Sequence, residues 1–261
     1  MVDSAMNLTP GQFMTSVFMP EYFARSARLV GGGRLVHYTS AEAAMKIVQA
    51  KSVWLRNVTL MNDFSEIDYG IEYASRALGS EPGKRFIAKL SALDTHGVES
   101  ALASYDNWVR GACKNTYIVS LSDHDDCEDL HGRLSMWRAY GGTSSVALVM
   151  NSAPFVTETD ALGAFSTSVE YKELSDVDRP MTQRLLTLEA NLQNVAQQKE
   201  WVSHFLSQML LGAALGVKHP GFGEEREWRV YHLPGYYPDT ASLQHQIVCL
   251  KGIPRGCINS R

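Results

Sequence analysis

The sequence predicts an α+β protein, with helices flanking and inserted into a β-sheet, and three observations predict it. Short runs rich in β-branched and aromatic residues recur at 34–39, 52–56, 116–122, 145–150, 164–172, 227–233 and 246–251. Two longer stretches, about 66–110 and 181–215, instead carry apolar residues at helical spacing. The two kinds of segment do not alternate regularly, which disfavours a repeating βα architecture.

Taken in order, residues 1–30 read as an N-terminal helical arm, with a short helix around Pro20–Ala27. Its apolar stretch Phe13–Phe23 suits packing on the domain better than docking a partner. Gly31-Gly32-Gly33 breaks the chain before the first strand, Arg34–Thr39. Ser40 then caps a helix that places Ala44, Ile47 and Val48 on one face. Ser52–Arg56 is a second strand and Asn57–Phe64 a loop. Helices run from Glu66 to about Arg110. Thr116–Ser122 is the third strand, followed by the acidic loop Asp123–Asp129 and a helix, Leu134–Tyr140, that stops at Gly141-Gly142. Ser145–Met150 and Ala164–Lys172 are strands, the second alternating like a half-exposed one. The glutamine-rich Asn191–Gln198 keeps helical spacing, so 181–215 reads as one helical region. Glu227–Leu233 and Gln246–Lys251 close the series. No internal repeat and no Pro/Gly/Ser linker divides the chain, so 31–261 reads as a single domain with helical insertions.

The composition is that of an ordinary globular chain: 261 residues, 45% apolar, 20% charged. The net charge of -4 and pI near 6.1 disfavour a bulk-electrostatic nucleic-acid binder. No run approaches the ~20 apolar residues of a membrane span, and the N-terminus lacks the pattern of a secretory signal. Cys113, Cys127, Cys249 and Cys257 form no C-x-x-C pair. The expectation is a reduced, cytoplasmic protein without a membrane.

The common catalytic signatures are missing. There is no G-x-S-x-G, no H-E-x-x-H, no complete dinucleotide fingerprint and no phosphate loop. Several constellations remain. His37-Tyr38-Thr39 ends the first strand, where an imidazole could bond a ribose hydroxyl; the plainer alternative is a histidine satisfied by its loop. Glu224, Glu225 and Glu227 crowd the entrance of a late strand on which Glu225, Glu227 and Arg229 share one face. Such carboxylates can stabilise a developing cation, or simply keep an edge strand soluble. Trp137 and Tyr140 lie three apart on a helix, suited to stacking on a planar ring or to a core. His124, Cys127 and His131 have metal-capable atoms at no standard spacing, and no metal is expected. Glu170-Tyr171-Lys172, with Asp63 or Glu66 upstream, fits the minimal pattern of a metal-dependent nuclease.

As an ordered set, the motifs say more. L-V-H-Y-T-S, V-W-L-R-N, M-N-D-F-S-E, Y-I-V-S-L-S, M-W-R-A-Y-G, V-A-L-V-M, V-E-Y-K and K-H-P-G-F-G-E-E-R-E-W-R-V span roughly 34–233. In that order they resemble a bacterial family known only as a domain of unknown function. A second resemblance is to ADP-ribosyltransferases, through a strand-borne His followed by Tyr and Thr, a middle Ser strand and a late strand-borne Glu. It implies a split, strongly bent sheet holding NAD, as substrate, in a cleft. By that resemblance His37, with Tyr38 and Thr39, meets the adenosine ribose, and Trp137 or Tyr140 packs on nicotinamide. Glu227 or Glu225 holds the nicotinamide ribose. Ser120-Leu121-Ser122 resembles the S-x-S, and Glu225-Arg226-Glu227 the E-x-E, of the arginine-type branch. That branch has Arg on its first strand, where this chain has Arg34 three residues before His37. The implied activity is an NAD-consuming transferase without a metal, acting on a macromolecular acceptor as a toxin or phage-defence effector and held in check by a neutralising antitoxin. The alternatives are the nuclease of Asp63, Glu170 and Lys172, and a partner-binding module without catalysis.

Overall fold

The computed structural model describes residues 8–60, 65–140, 144–156 and 164–234, and the backbone of 243–250 and 253–260. Two helices open it: α1 (Pro10–Phe18), with a capping box between Thr9 and Gln12, and α2 (Pro20–Val30). Pro20 starts the second helix, where its missing N–H costs nothing. Met14, Val17 and Phe18 of α1 are buried in the main core. Strand β1 (Arg34–Ser40) leads to α3 (Ala41–Ala50), capped by the Ser40 side chain as its sequence predicts. Strand β2 (Val53–Asn57) follows. The first helical insertion is α4 (Ser65–Gly79), α5 (Glu81–Leu93) and α6 (Thr95–Asn107), ending in a π turn, Trp108–Ala112.

Strand β3 (Tyr117–His124) runs two residues into the expected acidic loop. Next come α7 (Leu134–Tyr140), β4 (Ser145–Asn151) and the short α8 (Ala153–Val156). The strand expected over 164–172 is two pieces, β5 (Phe165–Ser168) and β6 (Glu170–Tyr171). The second insertion is also broken, into α9 (Asp178–Ala190), α10 (Leu192–Ala196) and α11 (Val202–Gly216), with the breaks in its glutamine-rich part. Strand β7 (Val217–Lys218) pairs in parallel with β6, which is why the chain leaves the main sheet at Val169. The 3₁₀ turn Pro220–Glu225 then enters β8 (Glu227–His232). The chain ends in the hairpin β9 (Leu243–Leu250) and β10 (Ile253–Ser260).

The main sheet is antiparallel throughout its pairs and runs β4-β1-β3-β2-β10-β9, with β8 beside β3 and β5 beside β8. Strand β3 therefore has three partners. β8 pairs with it continuously, from Tyr117↔His232 to Ser122↔Glu227, and fills one edge. The other edge is shared: β2 meets it at Tyr117 and Ile118, and β1 at Ser122, Asp123 and His124. Between those contacts β1 and β2 diverge, joined by α3, and the sheet forks at Ser120.

One face of β8 and β3 carries Trp228, Val230, Val119 and Leu121, which pack with Leu35 and Leu55. On the other, Ile118 and Tyr231 join the main core with α4, α6, α9 and α11. Gly70 of α4 lies so close to α11 that a Cβ there would sit 2.1 Å from the Ala214 carbonyl oxygen. Among the described residues no helix is long and apolar enough to cross a membrane.

Candidate functional site

The site grows from the start of β8. Alternation puts Glu227 and Arg229 on the face opposite Trp228 and Val230, and Glu227 Oε1 accepts from Arg229 Nε at 2.8 Å. The strand lies between β3 and β5, and every residue of it is buried. Glu227 and Arg229 are thus interior charges, not the solvated charges of an edge strand. Buried charges need partners, and here they form a network. Lys218 Nζ lies 3.0 Å from Glu66 Oε1, 2.6 Å from Glu225 Oε2 and 3.1 Å from Glu227 Oε2. Arg229 also pairs with Glu66 and donates to the Leu215 carbonyl at 2.7 Å. Three carboxylates, from α4, the turn 220–225 and β8, surround two cations. Tyr171 closes the frame: its hydroxyl accepts from the Glu227 amide at 2.8 Å.

The two candidate carboxylates differ. Burial alone would raise Glu227, but Arg229 and Lys218 hold it down at about 2. It is a saturated anion. Glu225 is pushed above the usual carboxylate range, first by burial and then, against the pull of Lys218, by Glu227 and Glu66. Its Oε1 lies 3.5 Å from the Tyr140 hydroxyl, at the limit of a hydrogen bond. Although the residue is 44% exposed, desolvation of its hydroxyl, and then Glu225 and Glu227, push that phenol up to about 12.

At the fork, His37 Nδ1 lies 3.1 Å from the Ser120 carbonyl oxygen. A carbonyl only accepts, so Nδ1 carries the proton. Burial, and then the Arg56 guanidinium, lower the His37 pKa. The ring is therefore neutral near pH 7, with Nε2 as its acceptor. Ser120 thus bonds His37 through its carbonyl and pairs with Arg229 across β3 and β8.

The other candidates are placed as follows. Tyr38 is buried; its hydroxyl accepts from the Arg133 amide at 2.9 Å, and Trp137 packs edge-on to its ring at 4.9 Å. Trp137 Nε1 donates to the His131 carbonyl. Tyr140, on the same helix, is 44% exposed and faces Glu225. Thr39 is partly buried on β1, paired with Val146. His124 Nε2 lies 2.8 Å from Asp129, and Cys127 is exposed. Among the described residues no group of three His, Cys, Asp or Glu side chains is arranged to hold a metal ion. Of the nuclease set, Asp63 lies outside the described residues. Glu170 is 3.7 Å from Lys172 and 3.8 Å from Arg184, and burial with the Glu21 charge raises its pKa. Glu66 belongs to the Lys218 network.

Lys218 has no role in the sequence-based expectations, and Glu66 enters them only as an alternative acid of the nuclease pattern. Glu66 meets Arg229 from 163 positions away, whereas Lys218 stands only seven and nine positions before Glu225 and Glu227. The signal available for Lys218 was two carboxylates within nine positions, across the turn 220–225.

Residues 136–230 match the model of a family described as protein of unknown function (DUF2971). That segment holds Tyr140, Tyr171, Lys218, Glu225, Glu227 and Arg229; His37, Glu66 and Ser120 lie before it. No curated protein matches the chain, and no solved structure does.

Proposed function

We propose that this protein is an NAD-dependent ADP-ribosyltransferase whose substrate lies along the fork of the sheet, from His37 to Glu225. The observation that carries the reading is the difference between the two carboxylates: Glu227 has both oxygens held by Arg229 and Lys218, while Glu225 gives one oxygen to Lys218 and turns the other toward the exposed Tyr140. The resemblance implies a first-strand His, a middle-strand Ser and a late acid; here the Ser120 carbonyl bonds His37, and Ser120 pairs with Arg229, two residues after Glu227, across β3 and β8. The forked sheet supports the same reading, since a split sheet is what the resemblance implies. So does the His37 tautomer, whose Nε2 is an acceptor for a ribose hydroxyl.

The chemistry assigns the roles. Cleavage of the nicotinamide–ribose bond leaves its electron pair on the departing nicotinamide and builds positive charge at the ribose anomeric carbon. An acceptor nucleophile then bonds to that carbon and gives up its proton. A carboxylate beside the carbon stabilises charge that is present only in the transition state. Glu225 takes this role, because Glu227 has both oxygens committed to Arg229 and Lys218. Tyr140 is the aromatic side chain beside it, and Trp137 supports Tyr38.

The test is calorimetric titration of NAD into the wild type, His37→Ala and Glu225→Gln, with nicotinamide release measured in whole-cell lysate. The expected result is binding weakened at least tenfold by His37→Ala, and release abolished by Glu225→Gln with binding kept. Neither binding nor release in the wild type overturns the reading, and the saturated ion network would then be read as a structural core beneath a partner-binding surface.

A further inference from the structure

We propose that Lys218 is the positioning residue of this site: its ammonium grips Glu225 by one carboxylate oxygen and leaves the other turned toward Tyr140 and the substrate. The inference rests on the reading above, in which Glu225 is the working carboxylate.

An ammonium has three N–H donors and no acceptor. Lys218 has a carboxylate for each: Glu66, Glu225 and Glu227. Two of these belong to a rigid frame. Glu66 and Glu227 both also pair with Arg229, which is fully buried and tied to the Leu215 carbonyl. The lysine backbone is fixed as well, since β7 pairs Lys218 with Tyr171, whose hydroxyl holds the Glu227 amide. The third bond goes to Glu225, which stands outside the Arg229 pairings, on a 3₁₀ turn rather than a strand. It is also the shortest of the three, at 2.6 Å.

That bond divides the two oxygens of Glu225. Oε2 is committed to Lys218, while Oε1 has the Tyr140 hydroxyl at 3.5 Å, a weak partner that a ribose hydroxyl can displace. The Phe222 ring lies 4.7 Å from the ammonium and covers it on the side of the same turn. A cation held between aromatic and carboxylate is less screened than one in water. The groups facing Lys218 are then Glu66 of α4, Tyr140 of α7, Tyr171 of β6, Glu225 and Phe222 of the turn, and Glu227 and Arg229 of β8. Removing the lysine leaves three carboxylates with Arg229 alone. Glu225, the one Arg229 does not touch, is then the group that takes up a proton.

The test compares wild type, Lys218→Met and Lys218→Arg by the pH profile of nicotinamide release and by carbon NMR titration of the Glu225 carboxyl, assigned with Glu225→Gln. Lys218→Met should slow release at pH 7 at least tenfold and move the acid limb up by at least one pH unit. The Glu225 titration should move with it, and Lys218→Arg should recover most of the loss. An unchanged profile shape with an unmoved Glu225 midpoint overturns the proposal and leaves Lys218 a fold residue. If Lys218→Met does not fold, the wild type carries the test. The nitrogen signal of the Lys218 ammonium should shift at the Glu225 midpoint and lose that transition in Glu225→Gln; a signal indifferent to Glu225 overturns the clamp. Absence of nicotinamide release in the wild type would count against the transferase reading alone, since the two NMR titrations still decide the clamp.

Discussion

Arg133 Nη1 donates to the main-chain carbonyl of Glu225 at 3.1 Å, so an arginine preceding α7 fixes the backbone of the candidate carboxylate. The same nitrogen reaches the Glu224 carbonyl at 2.8 Å, and Nη2 reaches the Asp123 carbonyl at 2.9 Å. Nε pairs with Glu128, and the Arg133 amide donates to the Tyr38 hydroxyl. One planar fork thus ties the end of β3, the acidic turn and the turn 220–225 together. Arg133→Ala should cost roughly 1.5–3 kcal/mol, the range for hydrogen bonds to charged groups. Lys at this position should recover little, since an ammonium lacks the fixed fork. Urea unfolding checks the stability. Nicotinamide release from the folded variant should fall at least tenfold, and an unchanged rate would show that the backbone of Glu225 needs no such support.

The strands were legible because their pattern is local. RLVHYT, YIVSLS and EWRV alternate over a few residues, and β1, β3 and β8 lie where those runs predict. That alternation also paired Glu227 with Arg229 on one face. What escaped the sequence is the position of a strand in its sheet: β8 reads as a charged edge and is buried between β3 and β5. Strand β10 was hidden for another reason. Pro254 and Gly256 interrupt its apolar pattern, and only pairing with β9 and β2 makes it a strand. The acidic turn 123–129 shows no partner for its charges in the sequence, yet Asp123 is buried against Arg25 and Arg28, and Asp125 and Glu128 meet Arg226. Arginines scattered along the chain find these carboxylates only after folding. Lys218 is close in sequence to Glu225 and Glu227, but the 3₁₀ turn that folds it back onto them carries no pattern of its own.

Trp137 and Tyr140 read alike in sequence, and the structure separates them. Trp137 braces the buried Tyr38, while Tyr140 is exposed beside Glu225. Trp137→Ala should therefore cost roughly 2 kcal/mol from lost ring packing. Tyr140→Ala should stay within about 0.5 kcal/mol, as surface changes do. The functional effects should run the other way, with NAD turnover falling much more for Tyr140→Ala than for a folded Trp137→Phe. Thermal melts paired with nicotinamide release decide it; equal stability losses would contradict this division.

Gly70 sits four residues after Glu66 on α4, on the helix face that meets α11. A methyl there has no room, because the Ala214 carbonyl oxygen would lie 2.1 Å from it and neither backbone can yield cheaply. Gly70→Ala should destabilise by about 1–3 kcal/mol, the usual cost of overpacking, despite the better helix propensity of Ala. It should also push Glu66 away from Lys218 and Arg229. Gly79→Ala, at a position with open space, is the control and should leave stability nearly unchanged. Parallel urea titrations check the pair, and equal midpoints would contradict the close α4–α11 contact.

The two carboxylates of the 225–227 segment should respond to pH in opposite senses. Glu227 is held at about 2 in the folded protein against an ordinary 4.5. A depressed carboxyl contributes stability that is complete above its unfolded pKa and disappears as pH falls from about 4.5 toward 2. The difference corresponds to about 3 kcal/mol. Glu227→Gln should remove that contribution and strand Arg229 and Lys218, for a loss of about 3–5 kcal/mol at pH 7. Glu225 is raised, so its ionised form is worse accommodated in the folded chain than in the unfolded one. Glu225→Gln should therefore hold or slightly increase stability at pH 7, the sign expected where a functional group is kept at the expense of the fold. Urea unfolding of both variants and the wild type at pH 7, 5 and 3 measures this. The wild type should weaken steeply below pH 5, Glu227→Gln should weaken far less, and Glu225→Gln should follow the wild type. A Glu225→Gln variant that loses several kcal/mol at pH 7 would make Glu225 a structural anchor like Glu227 and remove the case for it as the reacting carboxylate.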